Sequence, residues 1–375
     1  MSSLPTLSFR PRDEWCAGCA TLDTPWAKTA EEKENAVEGV LRAFGPEPTF
    51  LRLGIPRPNG GMVGIYGADG KPITAYSVRI QVNDPPCGRI ASLKFSRTGE
   101  LGAHLLERVG SSQPFFYSKI ESARSLFDGE PTLVWSDASM RGGTINDMWF
   151  SDSLVAADAS GAIMVGDPAT GTITAASDVP GAAAGDYYSA EVWGSELFVA
   201  RSIEGRTEWW TRRNGRLEPF LANTERDIRE LVTDGTWLVW VEGRDPGPAA
   251  PNNPNPVEYA HYALMKAPFA RRSADVVPET LVADVPRDFG HLVIANGFVT
   301  GIFLISYPAY RAGALVSQIS SGTTRRSELP NGYSWGYELY PGRSALWGPV
   351  TTGPMITFET IAKIPYDAMS LVEEP

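Results

Sequence analysis

Residues 226–243 read RDIRELVTDGTWLVWVEG, and this stretch decides how the rest of the chain is organised. Two short apolar-rich segments flank Thr233-Asp234-Gly235-Thr236, where the Asp-Gly pair is typical of a tight turn. The pattern therefore predicts two β-strands that fold back on each other. Weaker copies recur through the second half of the chain, so we interpret the stretch as one unit of a repeat.

The composition favours an all-β protein. Glycine (37) and proline (30) are both abundant, and the longer apolar runs are short, which suits many short strands joined by tight turns. A hydrophobic share of 43% over 375 residues excludes disorder. No apolar run is long enough to cross a bilayer, so we predict no membrane span.

The charge restricts the class of partner. Asp and Glu (44) outnumber Lys and Arg (33), which gives a formal net charge of −11. Nucleic acids and anionic membranes both require a basic face. We therefore exclude a nucleic-acid partner and expect a small-molecule or protein ligand.

A Cys-x-x-Cys motif lies near the N-terminus, at Cys16 and Cys19. We favour a simple disulfide or idle thiols, and a redox pair or half a zinc site with Cys87 as third ligand remains open. No second such motif is present. The first residues also show no secretory signal. The protein is therefore cytosolic or its leader is not in this sequence, and we slightly favour an extracytoplasmic location.

One helix is predicted before the β-rich part. Thr29 and Glu32 have the spacing of a capping box, and Gly45-Pro46 would end the helix. Apolar residues between these signals recur at helical spacing: Val37, Val40, Leu41 and Phe44. We expect residues 1–50 to be an irregular segment and a helix packed on the β-domain, which residues 51–375 form.

The repeat is clearest over residues 144–370. Each copy has a turn followed by an apolar strand, and the insertion DPGPAAPNNPNPVE at 245–258 lengthens one copy. Each copy continues into a second hairpin, so a unit has four strands in about 40 to 45 residues. The equivalent turn positions are Asp152, Gly194, Asp234, Asn296 and Gly342.

This period and hairpin layout resembles the β-propeller superfamily, without the motifs of a single family within it. The resemblance implies an all-β, six- or seven-bladed β-propeller that is a monomer, and the capping-box pattern adds one N-terminal helix to it. In propellers, ligands commonly bind at the mouth of the central channel, where the loops that lead into the inner strands open.

The repeat register places seven polar residues near that mouth. Asp186, Asp227 and Asp288 would lie at the entry to three successive inner strands. Such carboxylates could hold Ca²⁺, bind a cationic group or act as acid and base. They could also be structural, because aspartate side chains satisfy turn amides before strands. The residues predicted slightly further inside are Glu191, Glu230, His291 and Glu338.

Two functions follow from this arrangement. The first is a non-catalytic ligand-binding or interaction module of a bacterial cell, whose acidic channel mouth binds the ligand through Asp186, Glu191, Glu230 and Glu338. The second is a hydrolase or lyase acting on a sugar or other small polar substrate, with calcium as a candidate cofactor. His291 would then be the general base, with Asp227 and Asp288 as acid or metal ligands. We favour the first, because the sequence shows no nucleophile and base pair.

Overall fold

The computed structural model describes residues 6–23, 40–42, 49–53, 61–78, 89–95, 101–108, 116–122, 133–137, 145–150, 154–159, 161–167, 172–222, 226–247, 258–306, 311–336, 339–352 and 357–372. Strands, numbered in chain order, dominate these ranges, and the helices found there are three short 3₁₀ turns. These turns are Ala176–Asp178, Ser273–Asp275 and Tyr366–Ala368. No helix in the described part is long and apolar enough to cross a membrane.

Seven antiparallel sheets contain all the described strands. The first sheet is β3 (Val40–Arg42), β4 (Thr49–Leu53), β5 (Gly61–Tyr66) and β6 (Pro72–Val78). The second is β7 (Arg89–Phe95), β8 (Leu101–Arg108), β9 (Phe116–Ser122) and β10 (Leu133–Asp137). The third is β11 (Ile145–Phe150), β12 (Val155–Ala159), β13 (Ala162–Asp167) and β14 (Thr172–Ala175).

The second half of the chain supplies the other four. The fourth sheet is β15 (Asp186–Trp193), β16 (Glu196–Ile203), β17 (Arg206–Arg213) and β18 (Arg216–Leu221). The fifth is β19 (Asp227–Thr233), β20 (Trp237–Gly247), β21 (Glu258–Pro268) and β22 (Glu279–Val285). The sixth is β23 (Gly290–Ala295), β24 (Phe298–Ser306), β25 (Arg311–Gln318) and β26 (Thr324–Ser327), with β31 (Ser370–Leu371) at its edge. The seventh is β27 (Tyr333–Trp335), β28 (Tyr340–Pro341), β29 (Ala345–Thr352) and β30 (Thr357–Pro365), extended by β2 (Ala20–Asp23) and β1 (Ser8–Pro11).

The sheets follow one another in a closed ring. The inner strand of each sheet lies against the inner strand of the next sheet. The order of these strands is β3, β7, β11, β15, β19, β23 and β28. The last sheet then returns to the first through β29 and β3. The blade number, six or seven, stays a prediction.

The apolar run in β20 shows why strands form here. Leu238 and Trp240 pack against the fourth sheet, and Val239 and Val241 pack against the sixth. Successive side chains of a strand point to opposite faces. Because a sheet covers each face, the strand can be apolar at every position, which explains the sequence WLVWV.

The N-terminal segment completes the last sheet. Strand β2 pairs with β30 through Ala20 and Thr21, and Thr360 Oγ1 donates to Leu22 O at 2.5 Å. Residues 8–11 and 20–23, expected to be irregular, are therefore strands. Pairing between β2 and β30 joins the two ends of the chain within one sheet.

The predicted N-terminal helix is wrong where the structure describes it. Val40–Arg42 is strand β3, and Val40 pairs with Leu51 of β4. A segment of three residues, two of them apolar, is compatible with either a helix or a strand, and pairing with a neighbouring strand decides between the two. The rest of the predicted helix, including Thr29, Glu32 and Phe44, lies outside the described residues.

The insertion at 245–258 connects the second and third strands of the fifth sheet. Strands β20 and β21 have 11 residues each, and their ladder reaches Gly247 opposite Glu258. Asp227, the first residue of β19, lies beside Gly243. The hairpin therefore extends past the entry to β19, on the face where the inner strands begin.

Candidate functional site

Two of the predicted glutamates join neighbouring sheets. Glu191 is 5% exposed, and its Oε1 accepts the backbone N–H of Thr233 at 3.1 Å. Glu230 Oε2 accepts the backbone N–H of Leu292 at 2.8 Å. Both glutamates lie on the inner strand of one sheet and bond the inner strand of the next. Each therefore connects two sheets by a side-chain hydrogen bond.

Asp227 has a comparable role in the other direction. It is 3% exposed, and its Oδ1 accepts the backbone N–H of Thr207 in the preceding sheet at 2.8 Å. Its Oδ2 accepts a hydrogen bond from Arg229 Nε at 2.6 Å. Both carboxylate oxygens of this buried aspartate are therefore engaged by protein donors.

The remaining predicted carboxylates are less enclosed. Asp288 is exposed, and its Oδ2 accepts the backbone N–H of Leu304 at 2.5 Å. Asp186 is the exposed first residue of β15, with no hydrogen bond or ion pair recorded to the described part of the chain. Glu338 and Cys87 lie outside the described residues.

The structure does not bring the predicted calcium ligands together. Across the described ranges, no three His, Cys, Asp or Glu side chains form a group that could hold one metal ion. Asp186, Asp227 and Asp288 all lie within those ranges. The calcium site stays a prediction without a supporting ligand cluster.

A β-bulge interrupts the inner strand of five successive sheets, from the second to the sixth. Tyr188, Glu230 and His291 are at the bulge in β15, β19 and β23. Glu230 and His291 have positive φ values of 35° and 56°. Bulges redirect side chains and are common next to binding sites. Glu230 and His291 are among the residues that the repeat pattern predicts near the channel mouth, and Tyr188 is not.

Tyr188 begins a chain of polar contacts across this face. The residue is 45% exposed, and its hydroxyl lies 2.6 Å from Thr207 Oγ1. The backbone of Thr207 is held by Asp227, which also binds Arg229. Arg229 Nη2 donates to Tyr262 Oη at 2.7 Å, and its guanidinium lies 4.4 Å from the Tyr262 ring centre. We call these five residues the Asp227 network.

Tyr259 stands beside this network with a buried hydroxyl. The residue is 6% exposed, and its ring centre lies 6.2 Å from that of Tyr262. Its Oη atom has no hydrogen-bond partner in the described part of the chain. Asp227, Arg206, Tyr262 and Arg229 are its electrostatic neighbours. A buried hydroxyl without a partner is uncommon in native proteins and requires an explanation.

Burial of the three hydroxyl groups affects their acidity. Burial is the main cause that raises the pKa of Tyr188, Tyr259 and Tyr262, and the positive charge of Arg229 opposes part of this effect. All three side chains therefore stay protonated at neutral pH and can donate hydrogen bonds.

The Cys-x-x-Cys motif lies away from the network. Cys16 and Cys19 form a disulfide in the turn between β1 and β2. Cys19 is buried among apolar residues of the seventh sheet, and the adjacent Trp15 stacks against Tyr333 with ring centres 4.8 Å apart. The disulfide therefore belongs to the contact that attaches the N-terminal strands.

Comparisons with known proteins establish the fold class. No family model and no curated protein match the chain. The propeller domain of the Trilobed protease from Pyrococcus furiosus, described as having an open velcro topology, is 8% identical. That match covers 88% of this chain and 94% of that one, with a TM-score of 0.50.

Two acylaminoacyl peptidases match as well. The Pyrococcus horikoshii enzyme is 9% identical over 94% of this chain and 54% of that one, with a TM-score of 0.51. An acylaminoacyl peptidase in complex with a chloromethyl ketone is 9% identical over 92% of this chain and 53% of that one, with a TM-score of 0.52. The chain spans about half the length of the peptidases it matches. At such low identity the matches show the fold alone, and that fold is a β-propeller.

Proposed function

We propose that this chain is a non-catalytic ligand-binding propeller. Its ligand would bind on the face where the inner strands begin, over the Asp227 network. One observation carries this proposal. The hydroxyl of the exposed Tyr188 contacts Thr207 Oγ1, and the backbone N–H of Thr207 donates to the buried Asp227. An exposed aromatic ring is thus connected to a buried polar network.

Pre-organisation supports this choice of site. Asp227 links β17 to β19. Arg229 links β19 to Tyr262 of β21. Arg229 Nη1 also donates to the backbone carbonyl of Arg287 at 3.0 Å. A site whose groups are already held in position loses less conformational entropy when a ligand binds. The mouth of a closed β structure is also a common position for ligands.

The engagement of the aspartates favours binding over catalysis. A general acid or base must reach the substrate within hydrogen-bond distance. Asp227 uses both oxygens on Thr207 and Arg229, and Asp288 uses Oδ2 on the backbone of Leu304. Asp227 is therefore not arranged in the free protein as an acid or base toward a substrate, and Asp288 has one of its two oxygens already engaged.

The test is a binding screen with paired variants. A library of sugars, amino acids, short peptides and organic acids is screened for compounds that raise the unfolding midpoint, because a ligand of the folded state does so by mass action. Tyr188→Ala should abolish the effect of the true ligand. Arg216→Ala, an exposed change at the opposite end of the same sheet, should leave it unchanged. Equal binding by parent and Tyr188→Ala would place the ligand elsewhere and refute the proposal.

A hydrolase or lyase is the second candidate, favoured by the backbone of His291. This residue is exposed on the same face, and its φ of 56° is unusual outside glycine. Chromogenic esters and glycosides are assayed with calcium and with a chelator. Turnover by the parent that a folded His291→Ala variant lacks would establish an enzyme. Turnover by neither protein would leave the binding function as the better account.

A further inference from the structure

We propose that Asn214 is a modification site, at which the asparagine side chain reacts with the backbone of Gly215. The Gly215 nitrogen attacks the side-chain carbonyl carbon of Asn214, a bond forms between these two atoms, and the bond from that carbon to Nδ2 breaks. Nδ2 leaves as ammonia with the proton that the Gly215 nitrogen gives up. Water then opens the succinimide ring, and an aspartate or an isoaspartate remains. The reaction requires only water and is independent of the ligand-binding function.

The backbone of the Asn214 turn fits this reaction. Arg213 of β17 lies opposite Arg216 of β18, so Asn214 and Gly215 are the two residues between the paired strands. Their φ values are 48° and 72°, and positive φ at both positions defines the type I′ turn that Asn-Gly favours. Both residues are exposed, and the Gly215 N–H donates to no acceptor in the ranges that the structure describes. Solvent can therefore take the proton that this nitrogen must lose.

The side chain of Asn214 is not held by a neighbour. It makes no hydrogen bond within the described part of the chain, and a Cβ atom built on Gly215 would meet nothing within 4 Å. An exposed side chain of this kind keeps its choice of rotamers in the folded protein. The carbonyl carbon can therefore turn toward the Gly215 nitrogen without the loss of a protein contact.

A second turn of the same type holds its asparagine in place. Asn296 and Gly297 have φ values of 54° and 78° and connect β23 to β24. Asn296 Nδ2 donates to Tyr340 Oη at 3.2 Å and to Pro341 O at 3.0 Å, both in the seventh sheet. Asn296 is also half-buried. Its side chain must lose both bonds before it can turn, so the same pair of residues in the same backbone geometry should react more slowly than Asn214.

The third described Asn-Gly pair is restrained by one contact. Asn331 and Gly332 are exposed, and only the glycine has a positive φ, of 91°. Asn331 Oδ1 accepts a hydrogen bond from Arg311 Nη1 at 3.2 Å. A fourth pair, Asn59-Gly60, lies outside the described residues. The expected order of reaction in the folded protein, from fastest to slowest, is Asn214, Asn331 and Asn296.

The charges beside the turn favour the aspartate product. Arg213 and Arg216 lie directly opposite each other, and neither forms an ion pair within the described ranges. Like charges in such a pair destabilise the ladder, and a carboxylate at position 214, between the two, would reduce their repulsion. Glu218 is an exposed carboxylate on β18 and forms no ion pair with either arginine in those ranges. Conversion to aspartate should therefore leave the turn intact.

Peptide mapping of the folded protein tests the inference. The chain is incubated in mildly alkaline buffer and digested after glutamate, which places the three described asparagines in different peptides. The mass change from amide to acid is then followed with time. Asn214 should react about tenfold faster than Asn296, a difference in barrier of about 1.4 kcal/mol that matches the loss of hydrogen bonds. In urea the three should react at similar rates, because each is followed by glycine and no folded contact distinguishes them.

Two variants separate the effect of the contacts from that of the local sequence. Tyr340→Phe removes one of the bonds to Asn296 Nδ2, so it should speed the reaction at Asn296 and leave the rate at Asn214 unchanged. Asn214→Asp carries the aspartate product, and its unfolding midpoint should equal or exceed that of the parent.

Two results would overturn the inference. One is an equal rate at Asn214 and Asn296 in the folded protein. The other is no reaction at Asn214 in the folded protein under conditions where the chain unfolded in urea does react. A midpoint of Asn214→Asp below that of the parent would overturn the effect assigned to the two arginines.

Discussion

Arg229 donates from Nε to Asp227 Oδ2 over 2.6 Å, while the side chain of Asp227 is 4% exposed and that of Arg229 is 36% exposed. The other oxygen, Oδ1, accepts the backbone N–H of Thr207. The buried carboxylate of Asp227 therefore holds the guanidinium of Arg229 in place and connects β19 to the preceding sheet. The residue that the sequence placed at the channel mouth is a connection between sheets.

Asp227→Asn should destabilise the protein by about 2 kcal/mol. Loss of one partner of a buried pair costs about 3 to 5 kcal/mol, and the partial exposure of Arg229 reduces that figure. The new amide would also place a donor against the Thr207 N–H or against Arg229. Urea unfolding measures the change, with the exposed Asp186→Asn as the control that should stay within about 0.5 kcal/mol. A stability of Asp227→Asn equal to the control would contradict the assigned role.

Glu191→Met should cost about 1 to 3 kcal/mol. Methionine keeps most of the side-chain volume but removes the acceptor of the Thr233 N–H, a group in a fully buried residue. A buried donor without a partner costs about that amount. Glu191→Gln keeps an oxygen at the same place and should cost less than about 1 kcal/mol. Equal losses for the two variants would show that the charge of Glu191, and not its acceptor, is what matters.

The repeat pattern located these residues correctly along the chain. Asp186 and Asp227 are the first residues of β15 and β19, and Asp288 precedes β23 by two residues. Their contacts could not be read from the same pattern. Glu191 bonds a backbone group 42 residues away, and such a contact depends on how closely two sheets pack.

Two features had no recognisable signal in the sequence. Tyr259 and Tyr262 occur in a strand that reads like ordinary apolar core, and only the three-dimensional arrangement shows that their hydroxyls lie beside Asp227. The pairing of β2 with β30 joins Thr21 to Ala362. A strand partner so distant in sequence leaves no local pattern, so the N-terminal residues looked irregular.

The disulfide between Cys16 and Cys19 should stabilise the folded chain by about 2 kcal/mol. The closed loop is short, so the entropy that the bond removes from the unfolded state is small. The double change Cys16→Ala and Cys19→Ala should lower the free energy of unfolding in urea by about that amount. Reducing agent should destabilise the parent to a similar extent and leave the double variant unchanged. A parent insensitive to reductant would show that Trp15 and its neighbours hold the turn without the bond.

Stability should fall as the pH rises above about 10, because three tyrosine hydroxyl groups lose contact with solvent on folding. Burial raises the pKa of Tyr188, Tyr259 and Tyr262 above the ordinary value of 10.0. The contribution of these groups is fully present below the unfolded pKa. Above it, the unfolded chain loses these protons while the native protein keeps them, so rising pH favours unfolding until the native groups ionise too.

Urea midpoints between about pH 9 and pH 11 measure this dependence, and tyrosinate absorbance follows ionisation in the native state. Tyr259→Phe should flatten the decline, because one group with a raised pKa is removed, and its native spectrum should lack one late-ionising tyrosine. Tyr333→Phe, a change at a tyrosine that packs against Trp15 in the seventh sheet, is the control and should leave the decline as in the parent. If Tyr259→Phe declines as steeply as the parent, the Tyr259 hydroxyl is in contact with water in the native protein, which would contradict its burial.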